Sequence, residues 1–126
     1  YRVADLFLDT HPYNAGTTAS DALRMELPVL TYLGSSAVSR EAASVINAVN
    51  LPELITINQE QYESLAIELA TNPEKLKIIK DKLVGNLSTA PLYDTPLFAR
   101  NLESAYSMMY DRYHQGLDPD HIYVKH

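Results

Sequence analysis

The segment from Leu6 to Leu27, LFLDTHPYNAGTTASDALRMEL, constrains what this chain can fold into more than any other. An apolar run, Leu6-Phe7-Leu8, stops at Asp9-Thr10. A turn-rich stretch comes next, and Gly16-Thr17-Thr18 opens a helical pattern carrying Ala22, Leu23 and Leu27. A buried strand, a small-residue loop and a helix N-terminus thus succeed one another directly. The first N–H groups of a helix have no partner within it, and its aligned peptide dipoles leave partial positive charge there. Such a junction is a ready place for a phosphate.

The rest of the chain extends this start into an α/β pattern. Val3 to Leu8 is continuously apolar enough to predict a strand covered on both faces, and Pro28 to Leu33 predicts a second. The helix from about Thr18 to Leu27 is then the crossover of a right-handed βαβ unit. Ser39 to Val49 sets Ala42, Val45, Ile46 and Val49 on one helical face, and Leu54 to Ile57 predicts a short third strand. Asn58 precedes a helix with Tyr62, Leu65, Ala66 and Leu69 in register. Asn72-Pro73 supplies an N-cap and a first-turn proline for another helix, which runs to about Leu83 and stops near Gly85-Asn86. Ser88 to Pro96 is a loop. Thr95-Pro96 restarts a long helix with Phe98, Leu102, Ala105, Met109 and Tyr113 in one stripe, ending near Gly116. Two or three parallel strands do not complete a doubly wound sheet. The expectation is therefore one region, residues 1–126, forming the C-terminal part of a larger domain.

Composition narrows the function classes. An apolar fraction of 46% with 21% charged residues is that of a globular chain. A net charge of −6 without a basic stripe argues against nucleic acid. No apolar stretch approaches the roughly 20 residues that span a bilayer, so no membrane partner is expected. With no cysteine there is no thiolate chemistry, and a cytoplasmic, reducing setting suits the chain. His114, His121 and His126 lack the i, i+4 spacing of a helical metal pair, and no Asp-x-Asp element suggests a metal-held diphosphate, so no metal is expected.

Several polar residues carry two readings. Thr18-x-x-Asp21 before an apolar run can be a capping box with Asp in place of Glu, which needs no ligand. A cap can also share its helix start with a phosphate. His11, Tyr13 and Asn14 lie in the loop after the first strand, where ligands of parallel sheets bind, or are solvated loop residues. Arg40 could reach an anion from the start of its helix, or belong with Glu41 to the surface. Lys75, Lys77, Lys80 and Lys82 read as the solvated face of a helix.

The ordered set D-T-x-P-Y-N-A-G-T-T-A-S-D-A-L (from Asp9), P-V-L-T (from Pro28), Gly34 with Ser39-Arg40, and L-P-E-L-I (from Leu51) resembles the C-terminal catalytic region of the O-linked N-acetylglucosamine transferases. The plant SPINDLY proteins are related to them. Ala90-Pro91-Leu92-Tyr93 and Pro119-Asp120-His121 match further landmarks, so the resemblance covers nearly the whole chain. It implies a GT-B glycosyltransferase fold, in which this chain is the last part of a Rossmann-like half that holds the nucleotide sugar. Thr17 and Thr18 match the paired threonines that hold the diphosphate, and Asp21 matches the acid that hydrogen-bonds the ribose. Gly16 stands where a His near the uridine is frequent, so that contact is absent or supplied otherwise. The remaining base contacts and the candidate catalytic groups match nothing in this chain.

The function so implied is the donor-binding segment of a UDP-sugar-dependent protein O-glycosyltransferase. It would move N-acetylglucosamine from UDP-N-acetylglucosamine to Ser or Thr of a protein or peptide acceptor, with no cofactor beyond the donor. Gly16, Thr17, Thr18 and Asp21 would bind the donor, and His11, Asn14 and Arg40 are candidates for the cleft. Two alternatives remain open. One is a relative using GDP-fucose, against which Asp rather than Glu at residue 21 weighs. The other is a non-catalytic α/β interaction module, to which Gly16 in place of His lends weight. The segment by itself, lacking the upstream remainder of the protein, is expected to be inactive and prone to associate through its open sheet edge.

Overall fold

Val29, Leu30 and Thr31 are buried, as a strand covered on both faces requires, and β2 (Val29–Tyr32) is the middle strand of a three-stranded parallel sheet ordered β1-β2-β3. This computed structural model describes residues 1 and 3–124, which form two compact units, Tyr1–Leu92 and Tyr93–His126. In the first unit, β1 (Phe7–Leu8) pairs with β2 in the register Phe7↔Val29 and Leu8↔Leu30. β3 (Ile55–Thr56) pairs on the other side through Thr31↔Ile55 and Tyr32↔Thr56.

Four helices complete this unit: α1 (Thr17–Arg24), α2 (Glu41–Ala48), α3 (Gln59–Thr71) and α4 (Pro73–Leu87). α1, α2 and α3 each pack on β2, and α4 packs on α3. Their apolar faces deliver Leu23, Ile46, Leu69 and Leu83 into a core with Val29, Leu30, Leu51 and Leu54. Each such side chain contributes about 1.5–3 kcal/mol through removal from water. The caps of α3 and α4 are those expected from sequence. Asn58 accepts the Gln61 N–H at 2.8 Å, and Asn72 accepts that of Lys75 at 3.0 Å. The four lysines of α4 face solvent and pair with Glu68, Asp81, Asp5 and Glu53, contacts worth little individually.

Three boundaries differ from the sequence reading. The strand expected over Val3–Leu8 is only Phe7–Leu8, because the Ala4 N–H turns back to the Tyr1 carbonyl at 3.1 Å. Val3 is fully exposed and Leu8 half so; β1 lies at an edge of the described sheet and is not covered on both faces. α1 starts one residue early and ends at Arg24, not Leu27. There the Leu27 N–H reaches back to the Ala22 carbonyl and the Glu26 N–H to that of Leu23. α4 continues through Gly85 to Leu87, because the Asn86 side chain anchors this last turn on the carbonyls of Val49 and Asn50, at 2.8 and 3.3 Å.

The second unit is built on α5 (Thr95–His114), capped by Asp94, which accepts the Leu97 N–H at 2.8 Å. Past its end, Gly116 takes a φ of 67° and the Leu117 N–H returns to the Arg112 carbonyl at 3.2 Å. The stripe Phe98, Leu102, Met109 and Tyr113 forms, yet no residue of α5 is buried. His126 lies outside the described residues.

One buried carboxylate joins the sheet to the loop beyond it. Asp9, directly after β1, is only 6% exposed. Its Oδ1 accepts the N–H groups of Thr10 and Ala15 at 2.9 and 2.7 Å, and its Oδ2 accepts the Thr31 hydroxyl at 2.6 Å. Hydrogen bonds to a charged group are worth about 1.5–3 kcal/mol each, so three of them offset the several kcal/mol that burying an ion costs. The Asp9 carbonyl accepts the Tyr62 hydroxyl of α3 at 2.8 Å. Burial first, and the Asp9 charge second, push the Tyr62 phenol above its usual 10.0.

This architecture has two measurable consequences. Glu26 turns the chain out of α1 with a φ of 62°, a conformation that costs an L-residue about 1 kcal/mol. Glu26→Gly should therefore stabilise the fold by up to about that amount, measured by denaturant unfolding. Tyr62→Phe should cost about 0.5–1.5 kcal/mol at neutral pH for the lost hydrogen bond. Above pH 10 the unfolded phenol ionises before the folded one, so wild-type stability falls as pH rises toward the raised value. The gap between variant and wild type should narrow there; a gap constant with pH would contradict the assigned burial.

Candidate functional site

Parallel strands end where their loops can reach a ligand, and here the loop after β1 is fixed from both sides. The Thr10 hydroxyl donates to the Tyr13 carbonyl at 2.6 Å, the Asn14 Nδ2 donates to the Thr10 carbonyl at 2.8 Å, and the Asn14 N–H donates to the Val38 carbonyl at 2.9 Å. The His11–Pro12 bond is cis. Asp9 holds the far end of the loop through Ala15, and the chain passes from there into α1.

α1 begins uncapped. Gly16 is the N-cap residue and offers no side chain, and the first turn contains no acid. The first bond of the helix runs from the Ser20 N–H to the Gly16 carbonyl at 3.0 Å, which leaves the N–H groups of Thr17, Thr18 and Ala19 without an intrahelical acceptor. Thr17 and Thr18 are exposed at the first two helical positions. The capping box expected from Thr18-x-x-Asp21 is therefore not formed, because Gly16 occupies the cap and Thr18 is already inside the helix.

An open pocket of about 510 Å³ lies at this helix start, bounded by Thr10, Asn14, Gly16, Thr17, Thr18 and Glu41, with Phe7, Tyr13 and Ala15 completing its wall. Asn14 is 2% exposed, and its Oδ1 has no hydrogen-bond partner among the described residues. A buried acceptor left unpaired costs about 1–3 kcal/mol.

A second pocket, of about 470 Å³, opens beyond β2 and takes the other two cleft candidates. His11 stacks on Tyr32 with ring centroids 4.2 Å apart and planes at 22°. Gly34 leaves room chiefly for Ser39, since a Cβ there would stand 2.2 Å from the Ser39 hydroxyl and 3.0 Å from the His11 ring. Arg40 donates from Nη1 to the Gly34 carbonyl at 3.1 Å. Ser36 and Ser39 bond each other reciprocally ahead of α2. A larger groove runs between Leu6, Leu69 and Leu76, and the charged groups on its wall, Asp5, Lys77 and Lys80, include the Lys80–Asp5 ion pair.

Of the residues expected at the site, the fold brings Asn14, Gly16, Thr17 and Thr18 together and sets His11 and Arg40 in the neighbouring pocket. Asp21 lines neither pocket. It is exposed one helical turn beyond Thr17 on the same face, with no side-chain partner among the described residues. Two residues were missed. Asp9 organises the loop, and an acid ending an apolar strand was its only local signal. Glu41 joins the pocket from α2, which nothing near it in sequence indicates. Among the described residues no three His, Cys, Asp or Glu side chains converge as metal ligands, and no helix is long and apolar enough to cross a membrane.

Known proteins resemble this chain in sequence and fold. The model of glycosyl transferase family 41 matches residues 1–102. A protein of Oryza sativa subsp. japonica described as a probable UDP-N-acetylglucosamine–peptide N-acetylglucosaminyltransferase SPINDLY is 35% identical over 119 residues, covering 94% of this chain and 13% of that protein. The Arabidopsis thaliana protein described as the probable enzyme SEC is 34% identical over 123 residues, covering 97% of this chain and again 13% of its own length. Among solved structures, a mutant O-GlcNAc transferase of Thermobaculum terrenum superposes with a TM-score of 0.78 at 33% identity, over 84% of this chain and 20% of that one. The chain thus spans about an eighth of the length of the curated relatives it matches. The α/β part of a GT-B transferase expected from sequence is the fold found, and the chain belongs to glycosyl transferase family 41.

Proposed function

We propose that this segment holds the donor of a UDP-sugar-dependent protein O-glycosyltransferase that moves N-acetylglucosamine to Ser or Thr of a protein or peptide. One observation carries the reading: the uncapped start of α1, with exposed Thr17 and Thr18, opens a pocket beyond the carboxyl end of β1 in a chain of family 41. As the glycosidic bond to UDP breaks, the anomeric carbon becomes oxocarbenium-like and negative charge grows on the departing diphosphate. The N–H groups that α1 leaves unmet are fixed dipoles that, with the two threonine hydroxyls, would face that charge, and fixed dipoles lower such a barrier without reorganisation. Asp21, one turn along the same face, suits a ribose hydroxyl better than a phosphate, which its charge would repel. Activation of the acceptor hydroxyl belongs to residues outside this segment.

The test is calorimetric titration of UDP and GDP into the full-length protein carrying this segment. Thr17→Ala/Thr18→Ala should weaken UDP binding by about 1–3 kcal/mol per charge-assisted hydrogen bond lost. Its melting temperature should stay near that of wild type, since both residues are exposed and neither caps α1. Asp21→Asn should lower UDP affinity several-fold but spare a nucleotide lacking the ribose hydroxyls. Wild-type affinity for UDP in the double threonine variant would end the assignment. Preference for GDP would move the protein to a different donor.

A further inference from the structure

Gly16 has no side chain, yet the place of one is filled. An ideal Cβ on Gly16 would stand 2.1 Å from Oε1 and 2.7 Å from Cδ of Glu41, so the Glu41 carboxylate occupies the volume that any other residue at position 16 would need. The contact spans 25 positions of sequence and joins the starts of two helices, because Glu41 is the first residue of α2. A carboxylate is favoured there by the dipole of its own helix. Among the described residues it has no hydrogen-bond or ion-pair partner, and it lines the pocket with Thr17 and Thr18. The same pocket contains Asn14, whose buried Oδ1 is also unpaired.

We propose that Glu41 is a specificity-determining residue of this pocket, selecting a nucleoside diphosphate that bears a neutral, hydroxyl-rich group over one that bears a further phosphate. The proposal rests on the donor-binding reading above and adds to it. The unpaired carboxylate can accept a hydrogen bond from a hydroxyl, and a charge-assisted bond of that kind is among the stronger ones. Toward an added phosphate it presents a like charge, and near a protein surface like charges repel more strongly than in bulk water. The free N–H groups of α1 attract anions in general. Glu41 limits how much negative charge they accept.

The experiment measures Kd for UDP-N-acetylglucosamine and for UTP on the full-length protein, for wild type, Glu41→Gln, Gly16→Ala, the combination, and Thr17→Ala/Thr18→Ala. Wild type should prefer the sugar nucleotide. Glu41→Gln keeps the shape and removes the charge, so the ratio of the two Kd values should shrink roughly ten-fold, chiefly through tighter UTP binding. Gly16→Ala puts a methyl group where the carboxylate stands. Oε1 is the end of a flexible side chain, so it should swing away and the ratio should shrink in the same direction. The combination should add little to either change, because both remove one interaction. Thermal melts verify that each variant folds, and Gly16→Ala gives an independent reading if Glu41→Gln does not. If both variants keep the wild-type ratio while the threonine pair weakens both nucleotides, the Glu41 proposal is overturned and the donor site stands. If wild type binds neither nucleotide, both readings fall.

Discussion

The buried carboxylate of Asp9 is the constraint on which the other features of this unit rest. A strand of two residues supplies little backbone pairing, so the direction of the chain after β1 has to be fixed from elsewhere. Asp9 fixes it by taking two N–H groups of its own loop and the hydroxyl of Thr31 from the central strand. Thr31 in turn receives the Thr56 hydroxyl on its carbonyl at 2.8 Å, so a single polar chain crosses all three strands. Tyr62 closes the arrangement from α3. The start of α1 is positioned by this chain and not by a cap of its own. That is why the helix can leave its first N–H groups unmet.

The strand–loop–helix order was legible because each part depends on neighbours in sequence: an apolar run, turn residues, and a 3.6-residue period. The caps at Asn58 and Asn72 are local in the same way. Errors fell where a distant or competing partner decides. β1 is short because Ala4 bonds Tyr1 instead of a neighbouring strand. Thr18 does not cap because the glycine two residues earlier takes that place. α4 outruns its glycine because Asn86 finds carbonyls at the end of α2. The placement of the candidate residues follows the same division. Thr17 and Thr18 stand at a helix start that the local pattern marks, whereas His11 leaves for the second pocket because Tyr32, on β2, offers its ring. Glu41 enters from α2 with no local mark at all.

The two pockets beyond the sheet differ in what they offer. The one beyond β2 presents an imidazole and a guanidinium, with the Arg40 side chain tied to the Gly34 carbonyl. The one at α1 presents hydroxyls and unmet N–H groups, with a carboxylate as its only charged wall among the described residues. Neutral dipoles attract an anion less strongly than a lysine or arginine would, but they need no counter-ion when the site is empty. They are suited to a ligand whose charge changes during reaction, since a fixed dipole acts most where charge develops.

Gly16 bears on whether the segment lost a function or exchanged one contact for another. From the sequence alone, a glycine where relatives of this kind often carry a histidine lends weight to a fold kept without its chemistry. The geometry shows what stands in the place of that side chain. A lost side chain leaves a void or a relaxed loop, whereas here the volume is taken by a carboxylate from a different helix. A histidine at position 16 could not coexist with Glu41 in this conformation, for the same reason that even a Cβ could not. The two positions are therefore one structural choice: a small residue at the helix start and an acid opposite it. That choice puts a carboxylate on the wall of the pocket that Thr17 and Thr18 line.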